Sequence, residues 1–258
     1  MTDQLVRVAT AGGVATITLD SPTNRNALST RLMEQFLDIL AGVVADDAAH
    51  VVVIDHTGPV FSSGADLKET AAALAQGQLP AAKMGELLTA VWECPKPVIA
   101  KIGGAARAGG LGVIAAADIA VCTTAATFAF SEVRLGVIPA IISATVRRRL
   151  DPRAAAELFL TGDVFDGVRA AEIGLVTRAV PAAELDTTVD GYLASLVRGG
   201  PAALAGTKKL LREPMGATVR DDLPELTRVS LEFFLSEQGR EGVAAIREKR
   251  PAAWVPTS

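Results

Sequence analysis

Two glycine-bearing stretches and one glutamate carry the residue types that could do chemistry: Phe61-Ser-Ser-Gly-Ala-Asp-Leu67, Ala108-Gly-Gly-Leu-Gly112, and Glu132 within Ser131-Glu-Val-Arg-Leu-Gly136. Glycine beside alanine lets a chain turn sharply with nothing to shield the next amide, so both stretches read as turns that bare backbone N–H groups. The second follows the apolar run Pro97-Val-Ile-Ala-Lys-Ile102 and leads into a short apolar helix ending near Ala117. A helix N-terminus presents free N–H groups and the positive end of its dipole to whatever lies before it. That suits an anionic oxygen, either a phosphate or an enolate. Glu132 is the nearest downstream acid that could move a proton, so the chemistry can rest on two amides and a single carboxylate.

The phosphate reading has a motif of its own, since Gly110-x-Gly112-x-x-Ala115 matches a dinucleotide fingerprint and Glu132 lies about 20 residues on. Its context is poor: seven residues separate Ile102 from Gly110, and the helix has room for barely two turns before Asp118 opens the next strand. No cluster of side chains has metal-ligand spacing, so no metal is expected.

These residues must be held by elements that the apolar pattern marks. Strands are predicted at Leu5–Ala9, Val14–Leu19, Val51–Asp55, Val98–Ile102 and Ile119–Cys122. Helices are predicted at Ser29–Ala45, with Ser29 as N-cap, at Met84–Glu93, and from the Asp151-Pro152 cap to about Leu160. Ala71–Ala82, Ala-rich with Gly77 and Pro80, reads as a mobile surface segment. After Pro181 the pattern is all-helical, at Glu184–Val197, Pro201–Leu211, Leu223–Leu235 and Gly239–Arg250; that amphipathic tail must fold onto the body or onto another subunit.

Half of the 258 residues are apolar with few aromatics, enough for one domain with an Ala/Val/Leu/Ile core and a helical extension. The net charge of −4 argues against nucleic acid or an anionic membrane as partner. Cys94 and Cys122 are too few for a disulfide framework, no apolar run reaches a membrane span, and Met-Thr-Asp-Gln lacks the features of a secretory signal; a cytoplasmic protein is expected.

The ordered set of motifs resembles the crotonase (enoyl-CoA hydratase/isomerase) superfamily over nearly the whole chain. It runs from Pro22-Thr-Asn-Arg-Asn-Ala-Leu28 through Ser63-Gly-Ala-Asp-Leu-Lys68, Pro95-Lys-Pro-Val-Ile-Ala100, the glycine turn and Glu132-Val-Arg-Leu-Gly-Val-Ile-Pro139. Thr161-Gly162, Ala170-Ala-Glu-Ile-Gly-Leu-Val176 and Glu248-Lys-Arg250 continue it. The resemblance implies an α/β fold of repeated β-β-α units in two nearly perpendicular sheets. Residues 1–197 would be the acyl-CoA-binding core and residues 198–258 a helical region that assembles trimers or dimers of trimers.

It further implies an acyl-CoA thioester substrate, with coenzyme A as part of the substrate and no separate cofactor. The thioester oxygen would sit on the N–H groups of Ala65 and Gly109, with Glu132 as general acid/base. Arg25, Ala27, Ser63, Ala65, Asp66, Leu67, Lys68, Gly109, Gly112 and Lys249 would line the thioester and coenzyme A. Hydration of an enoyl-CoA is the first expectation; a double-bond isomerase using Glu132 alone, or a non-catalytic acyl-CoA binder, are alternatives. They arise because the hydratases' earlier glutamate aligns with Gly112. Ile141 and Ile142 replace a glycine-rich stretch and should reshape the acyl pocket. Arg107 either pairs with a second carboxylate on the acyl group or lies at the surface or the coenzyme A phosphates. His50 and His56 match no catalytic position, and Arg147-Arg-Arg149 reads as a solvated helix face.

Overall fold

The computed structural model describes residues 4–74, 81–214 and 216–256. Two strands open the chain, β1 (Val6–Ala11) and β2 (Val14–Leu19). Their antiparallel register leaves only Gly12 and Gly13 in the loop, both at positive φ (56° and 79°), as a two-residue hairpin of matching twist requires. Helix α1 (Thr30–Ala45) follows, with the Ser29 hydroxyl accepting from Leu32 N–H as its cap.

Three β-β-α units come next. They are β3 (Val51–His56), β4 (Val60–Ser62) and α2 (Leu67–Leu74), with α3 (Ala81–Glu93) appended; β5 (Val98–Ile102), β6 (Ala105–Arg107) and α4 (Gly109–Ala116); and β7 (Ile119–Thr123), β8 (Thr127–Ala129) and α5 (Ala140–Val146). Helix α6 (Pro152–Thr161), β9 (Phe165–Asp166), α7 (Gly167–Glu172) and β10 (Arg178–Val180) complete the sheets. Helices α8 (Leu185–Leu196), α9 (Pro201–Leu210), α10 (Val219–Leu235) and α11 (Glu237–Glu248) close the chain.

Each unit gives its first strand to a six-stranded sheet, ordered β1-β2-β3-β5-β7-β10, and its second to a four-stranded sheet, ordered β4-β6-β8-β9. This is the two-sheet α/β architecture with a helical C-terminal part that the motifs imply. The core between and around the sheets is aliphatic, with Phe36, Phe61, Phe128 and Phe130 as its largest fully buried side chains.

All five predicted strands and all predicted helices are present, with ends shifted by a few residues. Composition did not mark β4, β6 and β8, because strands of three residues are too short to show a period. Of the Ala-rich stretch, Ala71–Leu74 completes α2 and Ala81–Ala82 begins α3, while residues 75–80 lie outside the described residues. The solvated face expected of Arg147-Arg-Arg149 holds for Arg147 and Arg148 alone. Arg149 donates to Ala115 O (3.0 Å) and Ala117 O (2.8 Å) at the C-terminal end of α4, with its guanidinium over the Trp92 ring.

Candidate active site

The small sheet explains how residues 65, 109 and 132 come together. Strands β4, β6 and β8 lie side by side and parallel, with Ser62 opposite Ala106 and Ala106 opposite Phe128. Three residues beyond that row are Ala65 and Gly109, and four beyond it is Glu132. The carboxyl ends of adjacent parallel strands thus deliver all three to one edge, the usual place for a site in a parallel sheet.

The first turn is held from two sides. Leu28 N–H donates to Gly64 O (2.8 Å) and Ser63 N–H to Arg25 O (3.0 Å), while Gly64 N–H donates to the Ser62 hydroxyl (3.2 Å). The bridge between Leu28 and Ala65 uses the carbonyl of Gly64, so the N–H of Ala65 stays out of it. Gly64 has φ +87°, and a Cβ there would lie 3.0 Å from both Ala108 Cβ and Arg107 O and 3.4 Å from Gly109 N. Only glycine fits, for its backbone angle and because the second turn passes directly against it.

The second turn pivots on Ala108, which holds φ 45° and ψ −116°, a sparsely populated conformation for a residue with a Cβ. Its N–H donates to Ala129 O (3.1 Å), tying the turn to the end of β8 three residues before Glu132. Gly109 is then the first residue of α4, where an N–H has no intrahelical acceptor.

Glu132 sits in a single 3-10 turn, Ser131–Leu135, ended by Gly136 in the left-handed region. Its Oε2 is buried without a hydrogen-bond partner, and burial pushes the carboxyl above the usual glutamate range, its own backbone N–H opposing the shift. Among the described residues no other charged group contributes to that shift. A carboxyl shifted in this direction holds its proton more readily than an exposed glutamate does.

Gly112, one helical turn behind Gly109 on the same side of α4, does not leave an opening. A Cβ there would lie 2.7 Å from Ile142 Cγ2, 3.1 Å from Ile142 Cβ and 3.3 Å from Leu88 Cδ1. Beside Gly109 the nearest atoms are Met84 Cε (2.7 Å), Leu28 Cδ1 (3.1 Å) and Met84 Sδ (3.6 Å). Gly110 presses on Ser62 Cβ (2.9 Å from a built Cβ). The fingerprint glycines therefore serve close packing rather than a phosphate cradle, although β6 does supply the strand immediately before the turn that the sequence reading lacked.

A model of the enoyl-CoA hydratase/isomerase family matches residues 9–256. The chain belongs to that family. A carnitinyl-CoA dehydratase of Proteus mirabilis is 30% identical over 263 residues, covering 97% of this chain and 98% of that protein. The crystal structure of an enoyl-CoA hydratase from Mycobacterium avium is 42% identical with TM-score 0.74, covering 98% of this chain and 100% of that one. Pseudomonas aeruginosa AtuE superposes with TM-score 0.90 at 31% identity, covering 98% and 100%.

In this hydratase/isomerase family member the remaining predicted residues divide by element. Arg25 is exposed in a left-handed turn (φ 59°), and Ala27 is buried with its N–H on Asn24 Oδ1 (3.4 Å). Asp66 caps α2, accepting from Lys68 N–H (2.9 Å) and Glu69 N–H (3.1 Å), with Leu67 and Lys68 exposed beside it. Lys249 ends α11, a helix packed on α9 and α10, and so stands on a different part of the chain from the strand ends. Arg107 donates to Ala106 O (2.8 Å), Thr127 O (2.6 Å) and Thr127 Oγ1 (3.0 Å), so its guanidinium is committed to the neighbouring strand. His56 is structural: Nε2 accepts from Gly103 N–H (3.0 Å), and burial lowers its pKa.

The sequence reading missed Asn26. Fully buried at φ 52°, it accepts from Ser21 N–H (2.8 Å) and donates to Thr57 O (3.0 Å) and Val60 O (2.8 Å), anchoring the Arg25–Leu28 segment to β4. Asparagine's tolerance of the left-handed region was the available signal. Met84 was missed as well, since nothing in a helical apolar pattern says which position abuts a turn.

Proposed function

We propose that this chain is an acyl-CoA enzyme that forms an enolate-like intermediate from an enoyl-CoA thioester. The N–H groups of Ala65 and Gly109 hold the thioester oxygen, and Glu132 is the general acid/base. Preorganised donors of this kind are worth roughly 3–4 kcal/mol each in a transition state. The observation that carries the reading is the delivery of the two turns and a carboxyl with one oxygen buried and unpartnered to one edge by three parallel strands. A scaffold that only bound thioesters would have no use for a carboxyl with an unpartnered buried oxygen, held above its usual range.

Hydration or dehydration of an enoyl-CoA is the reading that the relatives' names favour. Double-bond isomerisation by Glu132 alone is the second, favoured by the absence of a side chain at Gly112 and the filling of that position by Ile142. Both share the enolate. Arg25, Lys68 and Lys249 are proposed to meet the coenzyme A phosphates, as cations should. Residues 198–258 are proposed to assemble the chain into trimers or dimers of trimers, supported by the apolar residues that α10 and α11 leave exposed.

The test is exchange of the C2 protons of a saturated acyl-CoA in D2O, followed by NMR, for wild type and Glu132→Gln. Exchange that disappears in the variant is expected; equal exchange in both would remove Glu132 from the role.

A further inference from the structure

We infer that Ile142 is a specificity-determining residue, which turns the site toward moving a proton between two carbons of an enoyl thioester and away from adding water. The inference rests on the enolate chemistry at Ala65, Gly109 and Glu132.

The side of α4 that carries Gly109 and Gly112 is closed by carbon and sulfur. The atoms nearest to it are Met84 Cε and Sδ, Leu28 Cδ1, Ile142 Cγ2 and Cβ, and Leu88 Cδ1. A reactive water held in an apolar site needs two to four polar partners, about three on average. Glu132 Oε2 can be one. Of the polar groups close to the wall, the Thr145 hydroxyl shares its one proton between Gly112 O (3.0 Å) and Ile142 O (3.2 Å) and the Ser143 hydroxyl gives its proton to Ala140 O (2.6 Å), so neither has a proton left to donate, while Ser62 Oγ accepts from Gly64 N–H (3.2 Å). Ile142, 4% exposed and one turn into α5, fills the room in which a further hydrogen-bonding group would stand.

With no water held, the proton that Glu132 removes has one productive destination. From a 3-enoyl thioester the carboxylate takes the C2 proton, and the electron pair of that C–H bond spreads over the C1–C4 system as a dienolate with its oxygen on the two amides. The carboxyl then returns the proton to C4, leaving the double bond between C2 and C3; no co-reactant enters or leaves. The acyl group is uncharged in this reading, because Arg107, in the strand before the second turn, is spent on Thr127 and does not offer its charge to a carboxylate on the acyl chain.

The experiment uses the full chain with 3-hexenoyl-CoA, 2-hexenoyl-CoA and hexanoyl-CoA in D2O, with NMR readout, for wild type, Ile142→Thr and Ile142→Val. Wild type is expected to exchange C2 of hexanoyl-CoA and to move the double bond at least about tenfold faster than it hydrates 2-hexenoyl-CoA, the factor one lost hydrogen bond to water commands. Ile142→Thr, which loses the terminal methyl and gains a hydroxyl, should shift that ratio about tenfold toward hydration, and Ile142→Val, which loses the same methyl without gaining the hydroxyl, by less than about twofold. Hydration by wild type as fast as isomerisation, or an unchanged ratio in a folded, exchanging Ile142→Thr, would overturn the inference while leaving the enolate chemistry intact. The wild-type ratio decides even if Ile142→Thr does not fold. Loss of C2 exchange in wild type would instead remove the enolate chemistry itself.

Discussion

Glu132 is the residue whose environment is least expected from its type. Burial of one carboxyl oxygen without a partner favours the neutral form, and the pH dependence follows from that sign. Because the folded pKa is raised, the penalty for burying the charge is absent below the ordinary glutamate pKa of about 4.3 and grows as pH rises through the raised value. Glu132→Gln removes the penalty. Its melting temperature should exceed that of wild type at pH 7–8, and the two should converge near pH 4 in a calorimetric series. The same substitution should lower turnover by about 10²–10⁴. In wild type kcat/KM should fall on the acid side with an apparent pKa above the ordinary glutamate range, since the base must be ionised. Gly64 makes the complementary case for backbone: Gly64→Ala forces a Cβ onto a φ of +87° and against the second turn. It should destabilise by about 1–3 kcal/mol and reduce turnover by about 10²–10³, read by denaturant melts and steady-state rates.

At the scale of elements, α4 is fixed at both ends. Its N-terminus rests on the strained Ala108 turn, and its C-terminal carbonyls are taken by Arg149, which shares the Trp92 ring with Arg212 (5.0 and 4.6 Å to the ring centre). Asp118, just after α4, accepts from Lys208 Nζ (2.6 Å) and Arg212 Nη2 (2.6 Å), binding the α9 region to the sheet through a cluster with little solvent access. Breaking such a cluster by removing one partner leaves buried cations unpaired. Asp118→Ala should cost about 3–5 kcal/mol, and Arg149→Met about 1–3 kcal/mol through the orphaned carbonyls of Ala115 and Ala117, both measured by urea unfolding. The run of arginines hid this role because nothing in three consecutive cations says which one the end of a helix will turn inward. The caps were legible for the opposite reason: Ser29 and Asp151 act on amides two or three residues away, so local sequence suffices.

Over the whole molecule, the C-terminal helices leave large apolar side chains exposed, with Ile246 82%, Phe234 64% and Leu231 57% exposed. Surfaces of this kind mark association sites. The chain's tail returns to the body nonetheless: Arg250 pairs with Glu241 (2.6 and 2.9 Å), Trp254 Nε1 donates to Arg198 O (3.1 Å), and Pro256 packs against Gly13. The proposed assembly should give, by light scattering, a mass that is three or six times the 26.7 kDa of one chain. Leu231→Glu with Phe234→Glu should shift that mass toward the monomer, since two buried charges cannot be accommodated at an apolar contact. An unchanged oligomer would direct attention to another face. Among the described residues no helix is long and apolar enough to cross a membrane.

The sequence by itself determined the two-sheet plan, the helix caps and the glycine turns, and it singled out Glu132 as the acid of the proposal, because each depends on local pattern or on motifs in order. Only the tertiary structure decided what stands around them. The three short strands that align residues 65, 109 and 132 have no periodic signature and exist through pairing with one another. Ile142 lies thirty positions from Gly112 in the chain, yet its methyl group occupies the space that glycine leaves. Close packing is set by which surfaces meet, and no local pattern encodes that meeting.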